Sequence, residues 1–439
     1  MKPLLAIVGR PNVGKSTLFN RFAGKRLAIV HDAPGVTRDR HYADAHIAGR
    51  EVLLVDTGGF DPDSEDRMRQ GIARHVRVAI AEADVVLCVL DGSAPPLPAD
   101  RETVALLRQS KKPVIVAANK ADNPTLEAQT AELYELGVER VIAISALHGR
   151  GMAELEEAIA SALPPAVAAP APDADAPPRV ALLGRPNAGK SSLFNRLTGS
   201  ERALVDDRPG TTRDPVDCPV EFGGERFVLV DTAGIRRKSR VDRGVEAESV
   251  LRALRSVERA EVVILLADAG EGITEQEARL LGLCMDRGRA IVVGLNKMDL
   301  VGREAKKQLL ADAREALRFA PFAPIIELSV KTGRGVDKLV SQVGAAAREF
   351  HKRVSTAELN RFFEQVLSVR PPPTRGGRAP RIYYVTQAQS APPVFVAMSN
   401  APANLDNAYK RFVINQLRKS FGFESIPVKV IYRKRGAER

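Results

Sequence analysis

Along the chain, short apolar runs rich in β-branched residues alternate with stretches whose apolar positions recur at helical spacing. Runs at Leu4 to Val8, Glu51 to Val55, Asp84 to Leu90, Pro113 to Ala118 and Val141 to Ile144 predict strands, with a helix over Ser16 to Phe22 and further helices between the later runs. The same order returns at Val180 to Leu183, Arg226 to Val230, Glu261 to Ala267, Ala290 to Leu295 and Pro324 to Leu328, with Ser191 to Leu197 as the matching helix. Alternating strands and helices predict a mostly parallel sheet covered on both faces, so each half reads as an α/β unit. A long helical pattern at Val336 to Lys352 closes the second unit. Beyond it come a helix at Ser355 to Val369, the turn-rich PPPTRGGRAP, strands at Arg381 to Gln387 and Val394 to Met398, an amphipathic helix near Leu405 to Phe421, and a strand at Val428 to Arg433. That order, α-β-β-α-β, predicts a small α+β domain.

The two larger units are copies of one another. GRPNVGKS begins at Gly9 and GRPNAGKS at Gly184, while DTGG begins at Asp56 and DTAG at Asp231; both separations are 175 residues. NKAD at Asn119 and NKMD at Asn296 lie 177 apart, and Ser145 and Ser329 lie 184 apart, so insertions accumulate only later in the repeat. A period this long indicates domain duplication rather than a solenoid. Residues 163–178, LPPAVAAPAPDADAPP, are built almost wholly from Pro, Ala and Asp and predict an extended, semi-rigid spacer. The expected division is therefore 1–162, spacer 163–178, 179–352 and 353–439, in keeping with a length of 439 residues.

The glycine-rich runs carry the chemistry. In each, a strand leads into Gly-x-x-x-x-Gly-Lys-Ser and a helix follows, the context in which backbone N–H groups cradle phosphates at a helix N-terminus. The loops comprise Gly9, Arg10, Pro11, Asn12, Val13, Gly14, Lys15, Ser16 and Thr17, and Gly184, Arg185, Pro186, Asn187, Ala188, Gly189, Lys190, Ser191 and Ser192. Lys15 and Lys190 are placed to reach β- and γ-phosphates, and Ser16 and Ser191 to hold Mg²⁺. One such run could be a turn with a stray lysine; two with the same flanks are not.

Asp56 and Asp231 end a strand, where a carboxylate can hold Mg²⁺ through water. Thr57, Gly58 and Gly59, and Thr232, Ala233 and Gly234, follow; the last glycine of each is spaced for its N–H to meet a γ-phosphate. PGVTRD and PGTTRD place Thr37 and Thr212 at equivalent positions, where a loop threonine senses both Mg²⁺ and the γ-phosphate. Lys15, Thr37, Lys190 and Thr212 form the expected catalytic set. Asn119, Lys120 and Asp122, and Asn296, Lys297 and Asp299, select the base: a carboxylate accepts the N1–H and exocyclic amine of guanine, which adenine does not present. The lysine stems can cover the base, and backbone near Ser145 and Ala146, or Ser329 and Val330, can donate to the guanine O6. GTP and GDP are the expected ligands.

Charge changes the picture only once it is located. The net +11 equals the excess within residues 350–439, which hold sixteen Lys/Arg against five Asp/Glu. Concentration in one small domain predicts a nucleic-acid surface. Cys88, Cys218 and Cys284 are dispersed and odd in number, suggesting neither a disulfide framework nor a metal site, and a reducing cytoplasm is expected. No apolar run approaches a membrane span.

With these motifs and this layout the chain resembles the bacterial tandem-domain ribosome-assembly GTPases, within the Era/TrmE-like P-loop GTPase family. The resemblance covers essentially the whole chain and implies two tandem GTPase domains and a KH-like C-terminal domain. It also implies GTP hydrolysis coupled to maturation of the large (50S) ribosomal subunit through rRNA, with no DNA partner and a monomeric chain. Phe60 and Ile235 stand where Ras-like enzymes carry a water-orienting glutamine. By the resemblance, Asn12 and Asn187 help hold K⁺ beside the phosphates, and that K⁺ supplies the charge an arginine finger supplies elsewhere. A KH fold clamps RNA with a GXXG loop, whereas this tail has only Gly376-Gly377. Arg375, Arg378, Arg381, Lys410, Arg411, Arg418 and Lys419 either contact structured RNA or are partly buried against a GTPase domain. Two alternatives stay open: a nucleotide-gated RNA-binding scaffold with little turnover, and a tRNA-modification GTPase.

Overall fold

The first glycine-rich loop leaves the carboxyl end of a strand with no exposed residue. In the computed structural model, which describes residues 2–24, 42–56, 77, 79–165, 176–199, 217–232, 246–373 and 380–434, strand β1 (Leu4–Val8) is buried along its whole length. It lies inside a six-stranded sheet with β2 (Tyr42–Ile47), β3 (Arg50–Asp56), β4 (Val85–Asp91), β5 (Val114–Asn119) and β6 (Val141–Ala143). The order is β2-β3-β1-β4-β5-β6, with only β2 and β3 antiparallel. Helices α1 (Lys15–Ala23), α2 (Pro98–Arg108), α3 (Pro124–Gln129) and α4 (Met152–Ala162) connect the strands. Burial on both faces explains why β1 and β4 are continuous apolar runs. In α1, Leu18, Phe19, Phe22 and Ala23 form one apolar stripe that packs into this core.

The second sheet repeats the plan with β7 (Arg179–Leu183), β8 (Cys218–Phe222), β9 (Glu225–Leu229), β10 (Val262–Asp268), β11 (Ala290–Asn296) and β12 (Ile325–Glu327). Its order is β12-β11-β10-β7-β9-β8. Helices in this stretch of the chain are α5 (Lys190–Thr198), α6 (Glu246–Arg259), α7 (Glu275–Asp286), α8 (Arg303–Ala316) and α9 (Val336–Phe350); of α6, only the end from Ser256 groups with this sheet. In both sheets the strand order reverses beside the strand that feeds the glycine-rich loop. Open α/β sheets bind ligands at this crevice.

The β2–β3 and β8–β9 hairpins are absent from the sequence reading. Each turns through two residues of positive φ, Ala48 (45°) with Gly49 (78°) and Gly223 (60°) with Gly224 (82°), the geometry that matches strand twist in a tight hairpin.

The tail forms helix α10 (Thr356–Val369), β13 (Ile382–Gln389), β14 (Val394–Ser399), helix α11 (Asn407–Phe421) and β15 (Lys429–Lys434). This is the expected α-β-β-α-β order. Ser355 starts α10 by accepting the Glu358 N–H, while the Glu358 carboxylate accepts the Ser355 N–H and hydroxyl in return. Strand β14 pairs antiparallel with β13 and parallel with β15, over a core that includes Phe363, Phe395, Val413, Leu417 and Phe423.

The chain divides into two compact units; the second holds both the second six-stranded sheet and the three-stranded sheet. Strand β12 pairs with Val293 to Leu295, and among the described residues no strand lines the start of β11 on that side. There the Ile291 N–H donates to the Ser425 carbonyl at 2.7 Å. Glu349 on α9 accepts the Glu424 and Ser425 N–H groups at 2.9 and 2.8 Å, and Ile426 joins the core of the second sheet.

Among the described residues, no helix is long and apolar enough to cross a membrane.

Candidate functional site

Both glycine-rich loops have the same backbone. Gly9 and Gly184 adopt φ of 150° and 139°, and a Cβ there would collide with the carbonyl oxygens of Val89 and Leu266. Gly14 and Gly189 adopt φ of 91° and 100°, and a Cβ would collide with the side-chain nitrogens of Asn119 and Asn296. Glycine is required by space as well as by φ. Asn12 and Asn187 are exposed and share a φ of 65°.

Asn119 and Asn296 join two loops at each site. Asn119 donates to the Val13 carbonyl at 2.8 Å and accepts the Ala146 N–H at 2.9 Å; Asn296 does the same with Ala188 and Val330, at the same distances. The two Asn residues are thus structural struts. The N–H groups of Ala146 and Val330, expected to meet the guanine O6, are already engaged by them, so any base contact through these groups is a shared one.

Lys15 is buried, and its amine donates to the Arg10 carbonyl at 2.8 Å. Lys190 is half-buried and donates to the carbonyls of Gly184 and Arg185. Burial pulls the Lys190 amine down to about 8, with Glu277 opposing that shift. Arg10 bonds Asp91 and Asp100 at 3.2 Å each, and Arg185 bonds Glu271 at 2.6 Å, so these loop arginines brace the walls of their sites.

At the base end, Ser145 donates to Asp122 at 2.6 Å. The Ser329 hydroxyl bonds Asp299 and holds its carboxyl below the usual range. Lys120 and Lys297, both at positive φ, pair with Asp91 (2.7 Å) and Asp268. Burial would raise both aspartates, but the lysine hydrogen bonds, with others from the loops that follow, lower them. Asp91 and Asp268 were missed in the sequence. Their signal was available: each ends a strand, and they are separated by the same 177 residues as the two NKxD motifs.

Ser16 donates to Asp56 at 2.9 Å, bringing a hydroxyl and a carboxylate together at the mouth of the first loop. Hard oxygen donors beside a phosphate loop suit Mg²⁺, which takes one or two protein oxygens and completes its shell with phosphate and water. At the second site Asp231 and Ser191 supply the same donor types. Thr17 and Ser192 are exposed on the first turns of α1 and α5, and Thr232 is buried. Thr37, Thr57, Gly58, Gly59, Phe60, Thr212, Ala233, Gly234 and Ile235 lie outside the described residues, as do spacer residues 166–175.

Of the basic residues singled out in the tail, Arg381, Arg411 and Lys419 are exposed, and Lys410 lies 5.9 Å from the Tyr432 ring centroid. Arg418 takes the buried alternative. Its guanidinium stacks 4.1 Å from the Phe322 ring centroid and donates to the Ile426 carbonyl, which removes it from an RNA-facing set. Arg375, Arg378 and Gly376-Gly377 lie outside the described residues.

A phosphate-binding loop at the carboxyl end of each parallel sheet, followed by a base-selecting NKxD motif, defines a P-loop GTPase with two nucleotide sites. Residues 4–120 and 179–297 match the family described as 50S ribosome-binding GTPase, and residues 353–433 match the KH-domain-like C-terminal region of EngA bacterial GTPase enzymes. GTPase Der of Salinispora arenicola is 47% identical over 99% of this chain and 92% of its own length. The GTPase Der proteins of Syntrophotalea carbinolica and Moorella thermoacetica are each 44% identical, over 99% of both chains and 100% of both chains respectively. The chain belongs to the GTPase Der family: it binds guanine nucleotide, with Mg²⁺ as the usual companion ion of that family, and hydrolyses GTP.

Proposed function

We propose that this GTPase acts as a nucleotide-driven switch in maturation of the large ribosomal subunit, gripping rRNA through its C-terminal domain. It works as a cytoplasmic monomer with neither DNA nor membrane partners. The observation that carries the reading is the seating of the tail on the second sheet through Glu349, Ser425 and Ile426, because that tail carries the whole net positive charge. The description of the matching family as 50S ribosome-binding, and the EngA-type tail, support the partner.

At each site the loop N–H groups and Lys15 or Lys190 hold the phosphates. Ser16 with Asp56, or Ser191 with Asp231, holds Mg²⁺, which neutralises charge developing on the phosphates. Thr37 and Thr212, with Gly59 and Gly234, read the γ-phosphate. Asp122 and Asp299 select guanine, and Lys120 and Lys297 cover the base. Asn12 and Asn187 would hold K⁺, which would supply the positive charge that an arginine finger supplies elsewhere, while Phe60 and Ile235 leave the water-orienting position apolar.

Co-sedimentation with ribosomal subunits tests the partner, using the full chain with GDP or a non-hydrolysable GTP analogue and a Lys410→Glu/Arg411→Glu/Lys419→Glu variant. Binding should favour the analogue and weaken in the variant. With roughly five phosphate contacts, log affinity should fall against log salt with a slope of about −4. Multiple-turnover hydrolysis should be faster in KCl than in NaCl at equal ionic strength; equal rates would remove K⁺ from the mechanism.

A further inference from the structure

The two magnesium carboxylates are held differently. Asp56 Oδ2 accepts from Ser16 of its own glycine-rich loop at 2.9 Å. Asp231, at a φ of 56°, turns its Oδ2 to the Ser256 hydroxyl, which donates at 2.7 Å. Ser256 is buried in the last turn of α6, 25 residues further along the chain. The register set by Asp91 with Asp268 and Asn119 with Asn296 pairs Ser256 with Ala79, which is also buried but has no hydroxyl. The difference is therefore written in the sequence, inside an otherwise closely repeated site.

The turn that carries Ser256 is fixed. Arg259 reaches both carboxylate oxygens of Asp217 at 3.0 Å. Glu258 pairs with Arg287 at 3.2 Å and with Arg289, all three largely buried. A hydroxyl on an anchored turn cannot follow a moving carboxylate. The left-handed backbone of Asp231, a conformation that costs L-residues energy and that Asp tolerates better than most, keeps its carboxylate turned to that post.

We propose that Ser256 is a positioning residue that competes with hydrated Mg²⁺ for Asp231, so that the second site holds Mg²⁺ and its nucleotide more weakly than the first. The inference rests on the reading of Asp231 as the magnesium carboxylate. Mg²⁺ demands near-octahedral placement of its oxygens, including the waters through which an aspartate holds it. An ionised carboxylate has acceptor sites to spare, so the competition is one of direction: turned toward a hydroxyl on an anchored helix end, Asp231 reaches those waters by rotating away from Ser256. Asp56 also accepts a hydroxyl, but Ser16 belongs to the phosphate loop itself, so that bond holds the carboxylate at the metal position, and Ala79 brings no second hydroxyl from the place of Ser256. Nucleotide exchange at the second site is thereby set by the Mg²⁺ level over a range in which the first stays closed.

The test is Mg²⁺ titration of fluorescent-GDP release from full-length protein, with each site isolated by Lys15→Ala or Lys190→Ala. Ser256→Ala should lower the Mg²⁺ concentration needed to slow release from the second site roughly tenfold, the scale of one charge-assisted hydrogen bond. Ser256→Thr, which keeps the hydroxyl, should behave as wild type, and Ala79→Ser should raise the requirement of the first site. A Ser256→Ala midpoint that stays put or rises overturns the proposal. Asp231→Asn separates the two ideas: if it abolishes Mg²⁺ dependence while Ser256→Ala does nothing, only the role of Ser256 fails. If Asp231→Asn also leaves the dependence intact, the metal assignment fails with it.

Discussion

Asn119 stands over Gly14 so closely that no side chain fits between them, and Asn296 stands over Gly189 in the same way. The contact locks the phosphate loop to the base-recognition loop, because the same asparagines also bond Ala146 and Val330. Gly14→Ala and Gly189→Ala should each push the asparagine out and strain a backbone at positive φ, costing about 1–3 kcal/mol in stability. Nucleotide titration of each variant should show loss at its own site and normal affinity at the other, with thermal melting reporting the stability cost.

On the proposed reading, guanine is selected by a carboxylate that is already oriented. Ser145 at 2.6 Å does this for Asp122, and Ser329 does it for Asp299. Asp122→Asn and Asp299→Asn should each lose on the order of 2 kcal/mol of GDP binding at the affected site. Xanthosine diphosphate should restore part of that loss, because its ring presents a carbonyl where guanine has an amine. Unchanged GDP affinity in both variants would refute the base contact.

Burial lowers the Lys190 amine to about 8, well under its ordinary value of 10.5. The unfolded chain therefore binds more protons between these values, and this lysine's contribution to the stability of the nucleotide-free protein rises with pH across that window. Nucleotide binding has the opposite sign. Phosphate favours the protonated amine, so above about pH 8 the second site must take up a proton to bind and should lose affinity by up to roughly tenfold per pH unit. GDP titrations of the Lys15→Ala chain in buffers of different ionisation enthalpy should reveal that proton uptake directly.

Glu349 holds two N–H groups of the tail with one carboxylate. Replacing it with alanine leaves the Glu424 and Ser425 amides without that acceptor and should cost about 2–3 kcal/mol where the tail is seated. Hydrogen exchange over residues 421–426 should accelerate, while GDP affinity at the first site stays at its wild-type value.

Much of this architecture is legible before any coordinates. The glycine-rich loops, strand-terminal aspartates and NKxD motifs recur at nearly constant offsets, and burial on both sheet faces turns strands such as β4 and β11 into unbroken apolar runs. The β2 and β8 strands escape notice for a physical reason. Tyr42–Ile47 buries small residues, Ala43 and Ala45, and Cys218–Phe222 contains Pro219, so both edge strands lack the β-branched density of the interior. The Gly223-Gly224 pair was the available hairpin signal. Sequence spacing could not place Ser256 beside Asp231, because that contact depends on where α6 ends, nor could it separate Arg418 from its exposed basic neighbours.

Strand β12 is too short to line the whole of β11, and the Ser425 carbonyl fills the gap at Ile291. The tail is therefore a stopper for the second sheet, apart from any partner it binds. A chain cut after the second GTPase domain would present an unsatisfied strand edge beside the hole left by Ile426, the kind of surface that recruits further chains edge to edge. Such a shortened protein should self-associate, and any loss of ribosome binding in it would confuse a missing RNA surface with a sticky sheet. Charge reversal on an intact tail avoids that confusion, because it changes the exposed basic face and leaves the stopper in place.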